Sequence, residues 1–245
     1  MAQEDESPEA LGSLAGDIAS AALALARSFA SGATMWCWAP EASEHAQHVA
    51  VEFVHPVIMG KRALPAVALT ASGSDAVGLL RCLVRPGDVI LVVGADLADN
   101  DVQAVLRRVP SWGATTIWIG SGDRPPPGAA DHVLWSGGDP AAAAHDGRFV
   151  LIYHLLWELT HVCFEHPGLV QPEVVSDAPV CITCSDEGNL AEVVHATSVT
   201  ATVRTPAGVE EIDTTLVGDV SPGDLVLVHA GTALTIVDEA SGAHR

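Results

Sequence analysis

Two patterns of hydrophobic positions alternate along the first two thirds of the chain, a helical spacing and short continuous runs. Apolar residues recur at the helical spacing in the segments 8–31, 41–57, 74–83, 98–109 and 141–165. Short, continuous apolar runs lie between them at 34–39, 65–69, 89–93, 115–119 and 132–134. The run Val89–Val93 is rich in β-branched residues, as is typical of a parallel strand that is buried on both faces. The alternation predicts a doubly wound α/β domain with a parallel sheet.

The pattern changes after Glu165. Three prolines punctuate a segment without a helical period, which predicts a linker over residues 167–180. Short strand-like runs separated by Pro-Gly turns then follow at 190–194, 199–204, 209–213, 225–229 and 232–237. We therefore expect an α/β domain over residues 1–166 and a small all-β barrel over residues 181–240.

Charge and composition narrow the classes of partner. The chain carries 11 Lys and Arg against 31 Asp and Glu, a formal charge of −20, and 49% of its residues are hydrophobic. Enough apolar surface is present for packed cores, while the acidity disfavours nucleic acids and anionic membranes as partners. The acidic start of the sequence lacks the positive region of a signal peptide, and Asp17 and Arg27 interrupt the apolar stretch 11–30. We expect a cytoplasmic protein without a membrane span.

Five cysteines in a chain without an export signal argue against a disulfide framework. Cys37, Cys82 and Cys163 have apolar neighbours, so we expect them to be buried. Cys181 and Cys184 differ, because they form a Cys-Ile-Thr-Cys motif that is followed by Ser-Asp-Glu.

The sequence Cys181-Ile-Thr-Cys184, followed by Pro222-Gly-Asp-Leu-Val-Leu-Val-His229-Ala-Gly231, resembles the HypC/HupF family of NiFe-hydrogenase maturation chaperones. The resemblance extends from Cys181 to about Asp238. It implies an OB-like barrel that works with a HypD-like scaffold protein and carries an iron centre with cyanide and carbonyl ligands, the Fe(CN)2CO unit, to the hydrogenase large-subunit precursor.

The same resemblance implies site residues in the barrel. Cys181 and His229 match the functional cysteine and histidine, and thiolate and imidazole both suit low-spin iron. Cys184 is either a second ligand or redox partner of Cys181, or a filler of an apolar site, and His229 is alternatively a buried strand histidine. Cys181 is internal here, so its amine is an amide unless the linker is cleaved. Candidates for contacts with the partner protein are Asp186, Gly223 and Asp224.

The N-terminal part is similar to SIS (sugar isomerase) domains, and among them to sedoheptulose-7-phosphate isomerases. The similarity covers residues 10–165 and rests on the segments 44–52, 64–70 and 85–91. It implies a flavodoxin-like sandwich that forms homo-oligomers. The loops that hold phosphate in that family align with 38–42 and 94–98. Here Pro40 has no N–H to donate, and Glu41 and Asp96 repel an anion, so sugar-phosphate isomerase activity is not expected.

Histidine and glutamate side chains form stripes on two predicted helices. His48 and Glu52 are spaced i, i+4 and share one helix face, and the SIS resemblance implies that they are metal ligands. His154 and His161 lie on the last helix, where that family also supplies a histidine. Convergence of these residues predicts a zinc or iron site, and the alternative is that each histidine is satisfied or solvated separately.

Three functions follow from these patterns. The first is a hydrogenase-maturation chaperone whose SIS-like domain serves as a platform for oligomerisation or partner binding, or as a metal site. The second is a metal-dependent enzyme of the SIS type that acts on a small non-phosphorylated substrate. The third is an oligomeric scaffold in which neither site functions.

Overall fold

A computed structural model describes residues 8–71, 73–94, 99–143, 145, 147–170 and 188–238. The chain divides into two compact units. The first contains Met1–Arg107 and Thr115–Pro172, and the second contains Arg108–Ala114 and Glu173–Arg245. Each unit has a core of its own, and we describe them separately.

Helices and strands of the first unit alternate as the hydrophobic pattern predicts. The elements are α1 (Pro8–Ala30), β1 (Met35–Trp38), α2 (Ser43–Val54), β2 (Ala66–Leu69), α3 (Gly73–Leu83), β3 (Val89–Val93), α4 (Asn100–Arg108), β4 (Thr115–Ser121), β5 (His132–Ser136), α5 (Pro140–Ala143), α6 (Arg148–Glu165) and α7 (Pro167–Val170). All five strands are parallel, in the order β2-β1-β3-β4-β5. The predicted α/β class with a parallel sheet is confirmed. In such a sheet the order reverses between β1 and β3, where α/β proteins commonly bind ligands.

The core of this unit lies between the sheet and the helices α1, α2 and α6. Alternate residues of the strands, such as Cys37 of β1 and Leu91 of β3, face this core with the apolar sides of the three helices. Residues of the other sheet face, including Trp38, Ile90 and Trp118, are fully buried as well. Burial on both faces explains why the strands form continuous apolar runs in the sequence.

Helix boundaries follow local chemistry. Helix α1 is rich in Ala and Leu and ends at Ala30, two residues before Gly32, whose φ of 90° favours glycine. The predicted last helix 141–165 is divided into α5 and α6, and Gly147, with φ of 86°, precedes α6. The predicted linker begins with the short helix α7. Among the described residues, no helix is long and apolar enough to cross a membrane.

The second unit contains a closed five-stranded barrel. Its strands are β6 (Asn189–Ala196), β7 (Thr200–Thr205), β8 (Gly208–Asp213), β9 (Leu225–His229) and β10 (Thr232–Asp238). The strand order is β10-β8-β7-β6-β9, with antiparallel pairs except for the parallel contact of β10 with β8. Small and β-branched residues fill the interior. The predicted small all-β domain is confirmed.

A short segment from the connection between α4 and β4 belongs to the second unit. It forms a 3-10 helix, Val109–Trp112, which ends at Gly113 in the left-handed conformation. The indole N–H of Trp112 donates to Glu192 Oε2 at 2.7 Å, and Arg108 Nε lies 3.6 Å from Glu192 Oε1. The sequence pattern does not predict this association.

Candidate functional site

Three residues predicted as metal ligands meet between α2 and α6. His48 and Glu52 lie one turn apart on α2, and His154 projects from α6. The distances are 3.4 Å from His48 Nε2 to Glu52 Oε1, 3.8 Å from His154 Nε2 to Glu52 Oε1, and 3.3 Å between the two Nε2 atoms. Among the described residues, these three form a group whose possible ligand atoms all lie within 4.8 Å of one another.

The donor set of this cluster suits zinc or ferrous iron. Metal–ligand bonds of about 2.05 Å in tetrahedral geometry place neighbouring ligand atoms roughly 3.3 to 3.4 Å apart, close to two of the three distances. The side chains of His48, Glu52 and His154 are 38%, 23% and 43% exposed, so the cluster is accessible from solvent. Three protein donors with solvent access are typical of catalytic rather than structural zinc sites.

Contacts around the cluster fix α2 against α6. The indole N–H of Trp157 donates to the backbone carbonyl of Glu52 at 2.9 Å. The hydroxyl of Tyr153 lies 2.8 Å from Nδ1 of His48, on the side of the ring that faces away from the cluster. Burial, and then the negative charge of Glu52, raise the pKa of Tyr153, so this side chain is a neutral phenol.

Tyr153 is a residue that the sequence patterns missed. It is the single tyrosine of the chain and directly precedes His154. A hydrogen-bonding residue on the second ring nitrogen is the usual companion of a ligating histidine. The proximity of a lone tyrosine to the histidines of α6 was the available signal, although it does not reveal the contact with α2.

His161 does not join the cluster. It is 2% exposed, and its Nδ1 and Nε2 lie 2.9 and 3.1 Å from the backbone carbonyl oxygens of Trp157 and Arg62. Both ring nitrogens therefore contact the protein backbone. The structure brings together His48, Glu52 and His154 of the four predicted residues and places His161 elsewhere.

The loop from β1 to α2, which the SIS resemblance predicts to correspond to a phosphate-binding loop, contains Pro40 and Glu41. Proline removes one backbone N–H from this loop, and Glu41 is exposed. Asp96, predicted to repel phosphate from the second loop, lies outside the described residues.

His229 lies at the end of β9, next to a tight turn. Ala230 and Gly231 have φ values of 48° and 77° and connect β9 to β10 in a two-residue hairpin turn. Ala230 is the one non-glycine residue with positive φ in the described part of the chain. Asn189 is the register partner of Val228, so the chain enters the barrel beside His229. Left-handed backbone is costly for alanine, which marks this turn as a constrained feature.

Two residues predicted to contact a partner protein make internal contacts. The N–H of Gly223 donates to the carbonyl of Val193 at 2.7 Å. Asp224 is 5% exposed, and its carboxylate accepts a hydrogen bond from the N–H of Ser221 at 2.8 Å. These contacts explain the Pro-Gly-Asp sequence as a turn, and the role in partner binding stays a prediction. Cys181, Cys184 and Asp186 lie outside the described residues.

Comparison with known proteins finds relatives of both parts of the chain. Residues 189–244 match the HupF/HypC family. The phosphoheptose isomerase of Nitratidesulfovibrio vulgaris (strain DSM 19637 / Miyazaki F) is 29% identical over 174 residues, which span 64% of this chain and 83% of that protein.

Two solved phosphoheptose isomerases share the fold. The one from Francisella tularensis has a TM-score of 0.52 at 21% identity and covers 63% of this chain and 92% of its own. The one from Neisseria gonorrhoeae has a TM-score of 0.51 at 19% identity and covers 62% and 89%. The resemblance of the two parts to the SIS and HupF/HypC families is confirmed. The HupF/HypC match contains Gly223, Asp224 and His229 and begins after Cys184.

Proposed function

We propose that this protein is an accessory chaperone of NiFe-hydrogenase maturation. Its barrel would handle the Fe(CN)2CO unit together with a HypD-like scaffold and deliver it to the hydrogenase large-subunit precursor. The observation that carries this proposal is the HupF/HypC match over residues 189–244, which includes His229 beside the constrained Ala230–Gly231 turn. The iron unit is the cargo of the protein in this proposal.

Sequence separation supports a joint role of cysteine and histidine in holding that cargo. Cys184 precedes Gly188 by four residues, and the neighbouring Asn189 pairs with Val228, the residue before His229. Four residues span at most about 14 Å, so the thiol of Cys184 is within reach of this barrel end, and Cys181 is three residues further. Thiolates and imidazole provide the soft and borderline donors that such an iron unit requires.

Co-purification with a HypD-like scaffold and the large-subunit precursor, followed by an assay of hydrogenase activity in cells, tests this role. Cys181→Ala and His229→Ala are expected to abolish or strongly reduce hydrogenase activity. Cys82→Ala is the matched control. The sequence-based expectation that Cys82 is buried is wrong, because this cysteine of α3 is exposed. Full activity with Cys181→Ala, at the level of the control, contradicts the proposal.

The His48–Glu52–His154 cluster favours a second function for the α/β unit, a metal centre. His48, Glu52 and His154 would hold Zn²⁺ or Fe²⁺, which supplies a Lewis acid for a substrate oxygen. The three side chains are partly exposed, so a small substrate would reach the metal from solvent. Pro40 and Glu41 in the neighbouring loop favour a non-phosphorylated substrate. This enzyme-type activity is the alternative to a role of the unit as a platform for homo-oligomers.

Metal analysis of the purified full chain after dialysis distinguishes these roles. We expect about one equivalent of zinc or iron in the wild type and substantially less in His48→Ala and His154→Ala. His55→Ala is the control, since His55 is an exposed histidine that immediately follows α2. Equal metal content in all four proteins contradicts the metal centre and leaves the platform role.

A further inference from the structure

A single hydroxyl group contacts the nitrogen of His48 that lies outside the cluster. Tyr153 Oη is 2.8 Å from His48 Nδ1, while Nε2 of the same ring is directed at Glu52 and His154. The Tyr153 ring packs edge-on against the rings of His48 and His45, with centroids 5.2 and 6.1 Å away. The position of the hydroxyl is therefore fixed by packing as well as by the hydrogen bond.

We propose that Tyr153 is a positioning residue that selects the tautomer of His48 in which Nε2 can bind a metal. This inference rests on the proposed metal centre and assigns a role to a residue outside its ligand set. In the metal-loaded protein, Nδ1–H of His48 donates to the phenol oxygen of Tyr153. Nε2 then carries no proton, and its lone pair is directed at the ion.

The chemistry of imidazole requires such a choice. A neutral ring has one N–H, and only the other nitrogen can be a ligand. The phenol oxygen, 2.8 Å from Nδ1, can accept Nδ1–H, which leaves Nε2, directed at Glu52 and His154, as the ligand nitrogen.

The proton balance of metal binding follows from this tautomer. Nε2 would offer its lone pair to the ion without losing a proton, and the ring stays neutral with its N–H on Nδ1. The phenol keeps its proton throughout and accepts from Nδ1–H. No oxidant, reductant or further reactant takes part. Phenylalanine at position 153 would preserve the ring packing and remove the acceptor for Nδ1–H.

Tyr153→Phe in the full chain tests the inference, with Zn²⁺ alone as the probe. We expect zinc affinity to fall about 10- to 100-fold, which is the usual cost of removing the partner of a ligating histidine. Thr160→Val is the matched control, because it removes a hydroxyl of α6 that bonds the Leu156 carbonyl and makes no contact with the cluster. We expect its affinity to equal that of the wild type.

Nitrogen NMR of histidine-labelled wild type gives a readout that a merely structural role would not change. His48 is expected to carry its proton on Nδ1 when zinc is bound. A proton on Nε2 in the zinc-loaded protein, or wild-type affinity in Tyr153→Phe, overturns this inference alone. Failure of the wild type itself to bind zinc overturns the metal centre, and the role of Tyr153 with it.

Discussion

Glu192 of β6 provides a sharp test of how the second unit is stabilised. The carboxylate is 2% exposed and accepts a hydrogen bond from the indole of Trp112, while Arg108 lies beside its other oxygen. Arg108 also donates to the carbonyl of Gly223 and to Asp238 Oδ2, each at 3.2 Å. Replacing Glu192 by alanine leaves a buried indole N–H without its acceptor and a buried guanidinium without one of its two carboxylates.

The size of the effect follows from these contacts. Removing one partner of a buried ion pair costs about 3–5 kcal/mol, and an unsatisfied buried donor costs about 1–3 kcal/mol. Since Arg108 retains Asp238 and the Gly223 carbonyl, we expect about 3 kcal/mol for Glu192→Ala. Glu192→Gln keeps the acceptor for Trp112 and most of the volume, so we expect about 1–2 kcal/mol.

Hydrogen exchange of the full chain, followed by mass spectrometry, measures this loss locally. A loss of about 3 kcal/mol corresponds to exchange roughly a hundredfold faster at the most protected amides of β6, β7 and β9, because each 1.4 kcal/mol is a factor of about ten. Amides of β3 serve as the internal reference. Exchange of the barrel amides within about threefold of wild type in Glu192→Ala would refute the reasoning.

Three further predictions concern single positions. Gly120→Ala should destabilise the α/β unit by about 3 kcal/mol, because the added Cβ would overlap with the ring of Trp135. An unchanged midpoint of thermal or urea unfolding would contradict this close approach of Gly120 and Trp135. Ala230→Asn should stabilise the barrel by roughly 0.5–1 kcal/mol in urea unfolding, since Asn tolerates the left-handed backbone that alanine adopts there. A destabilised variant would contradict this turn geometry. Burial raises the pKa of the Cys37 thiol, so a thiol reagent applied to the native protein should modify the exposed Cys82 and spare Cys37. Equal modification of the two cysteines in peptide mapping would contradict the burial of Cys37.

The sequence predicts the elements of both units closely, because local periodicity sets them. The run Val89–Val93 becomes β3 with the predicted bounds, since a short, β-branched apolar run suits a strand that is buried on both faces. The division of the last helix at Gly147 was not predicted. Apolar residues recur before His145 and after Arg148, so the hydrophobic period alone does not reveal the break.

The candidate metal site is predictable in part for a geometric reason. His154 and His161 are seven residues apart and project from nearly the same face of α6, but they lie about 10 Å apart along its axis. The level at which α2 crosses α6 decides which of them meets His48, and that level depends on tertiary contacts such as the one between Trp157 and the Glu52 carbonyl. A single sequence therefore reveals which face of α6 the two histidines share. It does not reveal where along α6 the helix α2 crosses.

Other contacts of the structure join residues that are distant in sequence and follow no local pattern. Tyr153 meets His48 across 105 residues, and Trp112 meets Glu192 across 80. In each case a buried aromatic residue carries one polar group. Burial explains why such a residue needs a hydrogen-bond partner, but only the fold identifies which one.

Infrared spectroscopy of the protein co-purified with a HypD-like scaffold tests the proposed chaperone role most directly. Cyanide and carbonyl stretching bands of an iron unit should accompany the complex formed by the wild type and by Cys82→Ala. The bands should be lost or strongly reduced with Cys181→Ala and His229→Ala, in which a proposed thiolate or imidazole donor is missing. A wild-type complex without these bands, or bands of equal intensity in all four proteins, would contradict the proposal that this barrel handles the Fe(CN)2CO unit.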